Sequence, residues 1–233
     1  MCKDIKIAGW IKSSFIDYPG TVSTVLFLSG CNLRCPFCHN PSIVRDELPE
    51  ISFSEIMFYL YKRKGIVDGV VITGGEPTIY SNLPDLVKKL RNIGVRVKVD
   101  TNGLEPKVVE SCSADYLAMD IKAVPSRYSL LGAGYCDVEQ RLKASIKLVE
   151  KMGSDGEVRI PVVPGIIEND DIDELIDLLK GVNKVFLQPF KNDAELLDRS
   201  LTRLEAFPLE TVQQWCDQFR RASVNCFIRG QEY

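Results

Sequence analysis

Apolar and β-branched residues gather into six short runs, at residues 22–28, 70–73, 95–100, 116–121, 158–163 and 185–190. Their apolar character is read as continuous, which predicts strands buried on both faces. Between them, apolar positions recur three and four residues apart over 54–64, 84–92, 106–111, 138–152 and 171–179, the spacing of amphipathic helices. Strand then helix, repeated, predicts right-handed βαβ units around a parallel sheet. The fold class is therefore α/β, and six strands fall short of an eightfold barrel. A last helix is expected over 209–222 and a short strand over 226–229, while 3–15 predict an N-terminal strand or hairpin. No repeat, linker or low-complexity tract breaks the pattern, so the 233 residues are expected to form one domain, 1–233.

Composition narrows the classes of function. Hydrophobic residues make up 45% and charged residues 26%, the balance of a folded chain rather than a disordered one. A formal net charge of -3 gives no general attraction to phosphate backbones or anionic lipid, so neither nucleic acid nor a membrane surface is an expected partner. No apolar run approaches the roughly 20 residues of a membrane span, and the first ten residues do not resemble a secretion signal. The expected location is the cytoplasm. Eight cysteines in a reducing compartment are thiols, and a cluster among them points to metal or redox chemistry before disulfides.

In parallel α/β folds ligands bind beyond the carboxyl ends of strands, so motifs directly after strands carry the most weight. After the first run comes Gly30-Cys31-Asn32-Leu33-Arg34-Cys35-Pro36-Phe37-Cys38-His39, which sets three thiolates in one short loop. Soft thiolates suit an iron-sulfur cluster, and three of them leave one iron open. A Cys3His zinc site is the competing reading, since His39 is the single histidine, but its adjacency to Cys38 departs from paired zinc-knuckle spacing. The second run ends in Thr73-Gly74-Gly75-Glu76-Pro77, where glycines permit close backbone approach and a carboxylate can accept from an ammonium. The same residues also make a good strand-to-helix turn. The third and fourth runs end in Asp100-Thr101-Asn102-Gly103 and Asp120-Ile121-Lys122, either of which could be polar capping alone.

The C-x3-C-x2-C spacing, with Phe37 as the aromatic before the last cysteine, resembles the signature of the radical S-adenosylmethionine (SAM) superfamily. That resemblance implies a partial (β/α)6 barrel and a [4Fe-4S] cluster on Cys31, Cys35 and Cys38. It also implies that Phe37 lies near the cofactor and that Gly74, Gly75 and Glu76 bind the amino group of SAM. The motifs at Asp100 and Asp120 resemble those of glycyl-radical-enzyme activating enzymes, among them pyruvate formate-lyase activating enzymes. They imply that the Asp100 and Asp120 carboxylates, with backbone carbonyls near Thr101 and Ala118, hold a monovalent cation, K+ or Na+, against the carboxylate of SAM. Oxygen-only ligation suits such a hard cation. Asn102 and Lys122 join the implied cofactor-binding residues. So does Arg159, before the Val163-Pro164-Gly165 turn, where the plain alternative is a surface strand arginine.

The resemblance runs over about residues 14–230, including the opening Asp17-Tyr18-Pro19-Gly20, and within the activators is most similar to the anaerobic ribonucleoside-triphosphate reductase activating proteins. The implied partners are a glycyl radical enzyme, anaerobic ribonucleotide reductase, and a low-potential electron donor such as flavodoxin or ferredoxin. No catalytic side chain is implied beyond the cluster and SAM. One departure is Lys191, where the pyruvate formate-lyase activators have a histidine, which puts contacts to the nucleoside in doubt. Two other functions compete: a small-molecule radical enzyme such as a 7-carboxy-7-deazaguanine synthase, and a non-enzymatic iron-sulfur or zinc module. Cysteines 2, 112, 136, 216 and 226 lack the spacing of a second cluster and are expected to be structural, and Trp10 and Trp215 to be packing aromatics.

Overall fold

The computed structural model describes residues 4–192 and 195–230. In chain order the elements are β1 (Ile7–Ser14), β2 (Ser23–Leu28), α1 (Pro41–Val44), α2 (Phe53–Lys62), β3 (Gly69–Gly74), α3 (Leu83–Arg91), β4 (Arg96–Thr101), α4 (Pro106–Cys112), β5 (Tyr116–Asp120), α5 (Val138–Met152), β6 (Gly156–Val162), α6 (Ile172–Leu178), β7 (Val185–Pro189), α7 (Leu209–Arg221) and β8 (Cys226–Ile228). Strand order in the eight-stranded sheet follows chain order, β1 to β8. The six expected strands are β2 to β7, and the N-terminal segment forms a strand antiparallel to β2. Among the described residues no helix is long and apolar enough to cross a membrane.

Two compact units divide the chain. The first comprises Met1–Asn32, Asn40–Thr101 and Lys107–Leu117; the second comprises Leu33–His39, Asn102–Pro106 and Ala118–Tyr233.

In the first unit β2, β3 and β4 pair in parallel, with Val25 level with Val71 and Ile72 level with Val99. Val25, Val71, Ile72 and Val99 are almost fully buried, and each contributes about 1.5–3 kcal/mol by leaving water. Helix α3 lays Leu83, Leu86, Val87 and Leu90 on one face, the spacing its sequence predicts. The register sets Leu28 level with Gly74. Two loops therefore leave the unit side by side: one begins the cysteine motif, and the other carries the Gly-Gly-Glu motif.

In the second unit β6, β7 and β8 pair in parallel, Val158 with Val185 and Val185 with Cys226. Helix α5 buries Val138, Leu142, Ser145, Ile146 and Val149 along one stripe. The Ser145 hydroxyl donates to the Gly103 carbonyl at 2.6 Å, which ties the helix to the Asn102-Gly103 turn. Gly103 has φ of 76°, the left-handed region that favours glycine, and a Cβ there would also have to displace the Met119 methyl, 2.2 Å away.

Candidate active site

In the first unit the cysteine loop and the Gly-Gly-Glu turn are stitched together through their backbones. The Gly75 amide donates to the Leu28 carbonyl at 2.9 Å and the Glu76 amide to the Gly30 carbonyl at 2.9 Å. A Cβ on Gly75 would lie 1.9 Å from the Gly30 oxygen, so the approach needs glycine. Cys31 follows at once, half-buried. Glu76 is buried, and its Oε1 accepts from the Thr78 amide at 3.0 Å, the Thr78 hydroxyl, and the Thr101 hydroxyl at 2.7 Å. Three donors on one carboxylate oxygen satisfy its charge without solvent. This carboxylate thus fastens the turn after β3 to the end of β4.

Asp100, also at the end of β4, has a basic partner that the motif reading does not include. The Lys98 ammonium lies 3.1 Å from Asp100 Oδ1 and donates to the Asp17 carbonyl at 2.6 Å, with its side chain 2% exposed. It also stands 5.7 Å from the center of the Tyr116 ring. Lys98 and Asp100 are two apart on a strand and so point to one face. That spacing was the available signal, masked by the apolar run around it.

The second unit holds the rest of the cysteine loop. The Cys38 amide donates to the Cys35 carbonyl at 3.0 Å, closing a turn. Three backbone bonds strap the loop down: Arg34 amide to Leu131 carbonyl, Leu197 amide to Cys38 carbonyl, and Asp198 amide to Pro36 carbonyl. Cys35 and Phe37 are buried, while His39 is exposed. Burial pushes the Cys35 thiol up to about 11, partly offset by the Lys122 charge. The bare side chain is therefore a thiol, and iron ligation must displace its proton.

Asp120 ends β5 between two cations. Its Oδ1 accepts from Arg159 Nε at 2.6 Å and its Oδ2 from the Lys122 ammonium at 2.8 Å. Burial alone would raise its pKa, but Arg159 and Lys122 outweigh burial and hold the carboxyl well below the usual range. Burial opposes the Lys122 charge too, yet Asp120 more than compensates and its pKa is raised. The cluster carries one negative and two positive charges, so it is a net-positive group suited to an anionic oxygen. Arg159 has a side chain only 12% exposed and is not a surface arginine. The Tyr128 hydroxyl accepts from the Lys122 amide at 3.1 Å, and burial raises that phenol's pKa. Sequence reasoning missed Tyr128, for which no motif gives a signal.

The other expected residues are placed as follows. Asn102 is buried, and its Oδ1 accepts from the Leu104 amide at 3.1 Å within its own turn. Thr101 gives its hydroxyl to Glu76, and Ala118 is fully buried in β5. Lys191 is exposed beyond β7. Cys112, Cys216 and Cys226 are buried, Cys136 is exposed, and Cys2 lies outside the described residues. Trp10 donates to Thr24 Oγ1 at 2.6 Å and stacks edge-on against Tyr59, while Trp215 donates to Asn169 Oδ1 at 3.0 Å, so both serve packing.

The donor set fits an iron-sulfur cluster. Cys31, Cys35 and Cys38 are thiols in one loop fastened by main-chain bonds, and Cys35 needs a metal's charge to ionise where it sits. Among the described residues no group of three or more His, Cys, Asp or Glu side chains converges on a single metal ion.

Residues 25–179 match the profile of the Radical SAM superfamily. The chain belongs to that superfamily, whose cofactors are a [4Fe-4S] cluster and SAM. It is 29% identical over 196 residues to a protein of Methanocaldococcus jannaschii provisionally named a glycyl-radical enzyme activating enzyme, covering 79% of this chain and 80% of that one. A pyruvate formate-lyase-activating enzyme of Clostridium pasteurianum is 30% identical, over 84% of this chain and 88% of its own. A 7-carboxy-7-deazaguanine synthase of Rhodopirellula baltica is 29% identical, over 88% of this chain and 79% of its own. Among solved structures, Streptococcus suis SuiB bound to its precursor peptide superposes with a TM-score of 0.60 at 19% identity, over 89% of this chain and 48% of that one. The fold class is thus α/β of the partial-barrel radical SAM type.

Proposed function

We propose that this chain is a cytoplasmic activating enzyme, acting as one radical SAM domain, that places a glycyl radical on a partner protein, and that the partner is an anaerobic ribonucleotide reductase. The observation that carries this reading is similarity to activating enzymes across most of both chains, joined to the Asp-Thr-Asn-Gly and Asp-x-Lys motifs at the ends of β4 and β5. Cys31, Cys35 and Cys38 would hold the cluster, one thiolate short of full ligation, which would leave an iron for SAM. With SAM and a cluster bound there, and one electron from a donor such as flavodoxin or ferredoxin, the site would supply reductive cleavage of SAM to methionine and a 5′-deoxyadenosyl group able to take one hydrogen atom. Arg159 and Lys122 receive the carboxylate of SAM, which suits the positive excess around Asp120. The backbone of Gly74 and Gly75 would receive its amino group, with Glu76 fixing that turn. Phe37 and Asn102, both buried, would be the remaining residues to contact the cofactor. No side chain of this chain needs to accept the hydrogen, which comes from the partner's glycine.

A second reading has its own support in the 7-carboxy-7-deazaguanine synthase relative, and makes the substrate a small molecule. The two separate in one experiment. Reconstituted protein is mixed anaerobically with SAM, a low-potential reductant and the candidate reductase, and followed by electron paramagnetic resonance. The expected result is a carbon-centred doublet whose main splitting disappears when the reductase glycine carries α-deuterium. A radical-free reductase, beside stoichiometric 5′-deoxyadenosine formation driven by a small molecule, would replace activation with the second reading.

A further inference from the structure

We propose that Lys98 is a built-in counter-cation for Asp100, so that this chain binds and cleaves SAM without an added monovalent cation. The inference rests on membership in the radical SAM superfamily and not on the identity of the partner. Its test needs SAM alone.

Within the first unit, the Lys98 side chain is 2% exposed, and its ammonium sits 3.1 Å from Asp100 Oδ1 and 2.6 Å from the Asp17 carbonyl oxygen. A buried ammonium needs a partner carboxylate and further acceptors, and both are in place. The Tyr116 ring face adds a third attraction at 5.7 Å. Potassium or sodium coordinated by Asp100 would stand a few ångströms from this fixed positive charge, where like-charge repulsion is strong in a low-dielectric site. The Thr101 hydroxyl beside it is already directed to Glu76 Oε1 at 2.7 Å.

Within the second unit the charge balance argues the same way. Asp120 already holds Arg159 at 2.6 Å and Lys122 at 2.8 Å, so a metal cation would be a third positive charge on one carboxylate. In each unit the carboxylate implied for a monovalent cation already stands in an ion pair with this chain's own nitrogen cations, and that is the misfit with the ion.

Reconstituted wild-type holoenzyme is transferred to choline chloride, and choline is then replaced by potassium or sodium at constant ionic strength, so that general screening does not change. SAM affinity is measured by equilibrium binding and cleavage by 5′-deoxyadenosine release with a sodium-free reductant. Both are expected to change by less than about threefold. An increase beyond that in either salt overturns the proposal. Lys98→Met, which keeps the length and removes the charge, is expected to retain its cluster, to lose about tenfold in affinity for SAM in choline, and to recover most of it in potassium. A Lys98→Met protein that binds SAM like wild type in choline and ignores potassium also overturns it. Should that variant hold no cluster, the wild-type titration decides by itself.

Discussion

Two carboxylate–lysine pairs, built on the same spacing of two residues, do different work in the two units. In Lys98-Val99-Asp100 the lysine precedes the carboxylate and lies inside β4, with its side chain 2% exposed. In Asp120-Ile121-Lys122 it follows, beyond the last residue of β5, and is 24% exposed. The strand's period of two puts Lys98 and Asp100 on one face, whereas Lys122 follows the strand end, so order along the chain separates the sealed lysine from the one past the strand. A sealed lysine balances one carboxylate one to one. Past the strand end, Lys122 shares Asp120 with Arg159, leaving positive charge over for a ligand. The first pair is therefore read as a sealed, self-balanced charge that stabilises the fold as well as the site, and the second as the group with positive charge to spare.

The largest effect lies beside the second pair. Cys35→Ala removes one of three cluster thiolates from a loop whose remaining donors cannot substitute, since His39 is exposed and the other cysteines lie elsewhere in the sequence. Reconstituted wild type is expected to carry about four irons and four sulfides per chain, and the variant none of that cluster. A full cluster in the variant, or stoichiometric zinc in wild type, would sink the metal assignment in favour of the structural module.

Next come the carboxylates themselves. Asp100→Ala leaves the sealed Lys98 ammonium without its anion, and is expected to cost about 3 kcal/mol of stability, the low end for breaking a buried pair. For a chain of this size that is a fall of roughly 6–12 °C in melting temperature. Asp120→Ala leaves Lys122 and Arg159, which are 24% and 12% exposed against 2% for Lys98, so the melting temperature should fall by less than for Asp100→Ala. Its effect should appear in SAM affinity and cleavage while iron content stays near wild type. Thermal melts and SAM binding on both variants check this, and equal losses of stability would erase the distinction between the pairs.

Much of this was legible in sequence because parallel strands and cofactor loops leave local marks. The apolar runs locate β2 to β7 within one or two residues at most ends, and the run at 138–152 coincides with α5. The cysteine and Gly-Gly-Glu motifs meet through backbone bonds in the first unit, as their positions after successive strands imply. Less legible were contacts that no motif or period marks. Tyr128, in a 3-10 turn of residues Pro125–Leu131, reaches the Lys122 amide from a segment with no helical or strand period. Lys98 was hidden differently: in the alternating stretch Val95-Arg96-Val97-Lys98-Val99-Asp100 a charge reads as a solvent-facing position, and only its partnership with Asp17 and Asp100 shows it to be buried. The resemblance supplied a cation for Asp100, but the chain's own ammonium is what lies beside that carboxylate.

The smallest expected effect tests whether burial, and not distance, sets the value of such pairs. Glu139 and Lys143 stand four apart on α5 with nitrogen and oxygen 2.6 Å apart, closer than the 3.1 Å of Lys98 and Asp100. Coulomb's law at fixed dielectric would rank the helix pair first. Both of its side chains are more than half exposed, however, so water and salt screen the attraction, and ordering two long chains offsets part of the rest. A double-mutant cycle through Glu139→Ala and Lys143→Ala is expected to give a coupling of about 0.3–0.5 kcal/mol, falling further in high salt. The corresponding cycle through Asp100→Ala and Lys98→Ala should give several times more and respond little to salt, because ions do not reach the pair. Comparable couplings in the two cycles, or equal sensitivity to salt, would mean that the sealed position of Lys98 contributes nothing special.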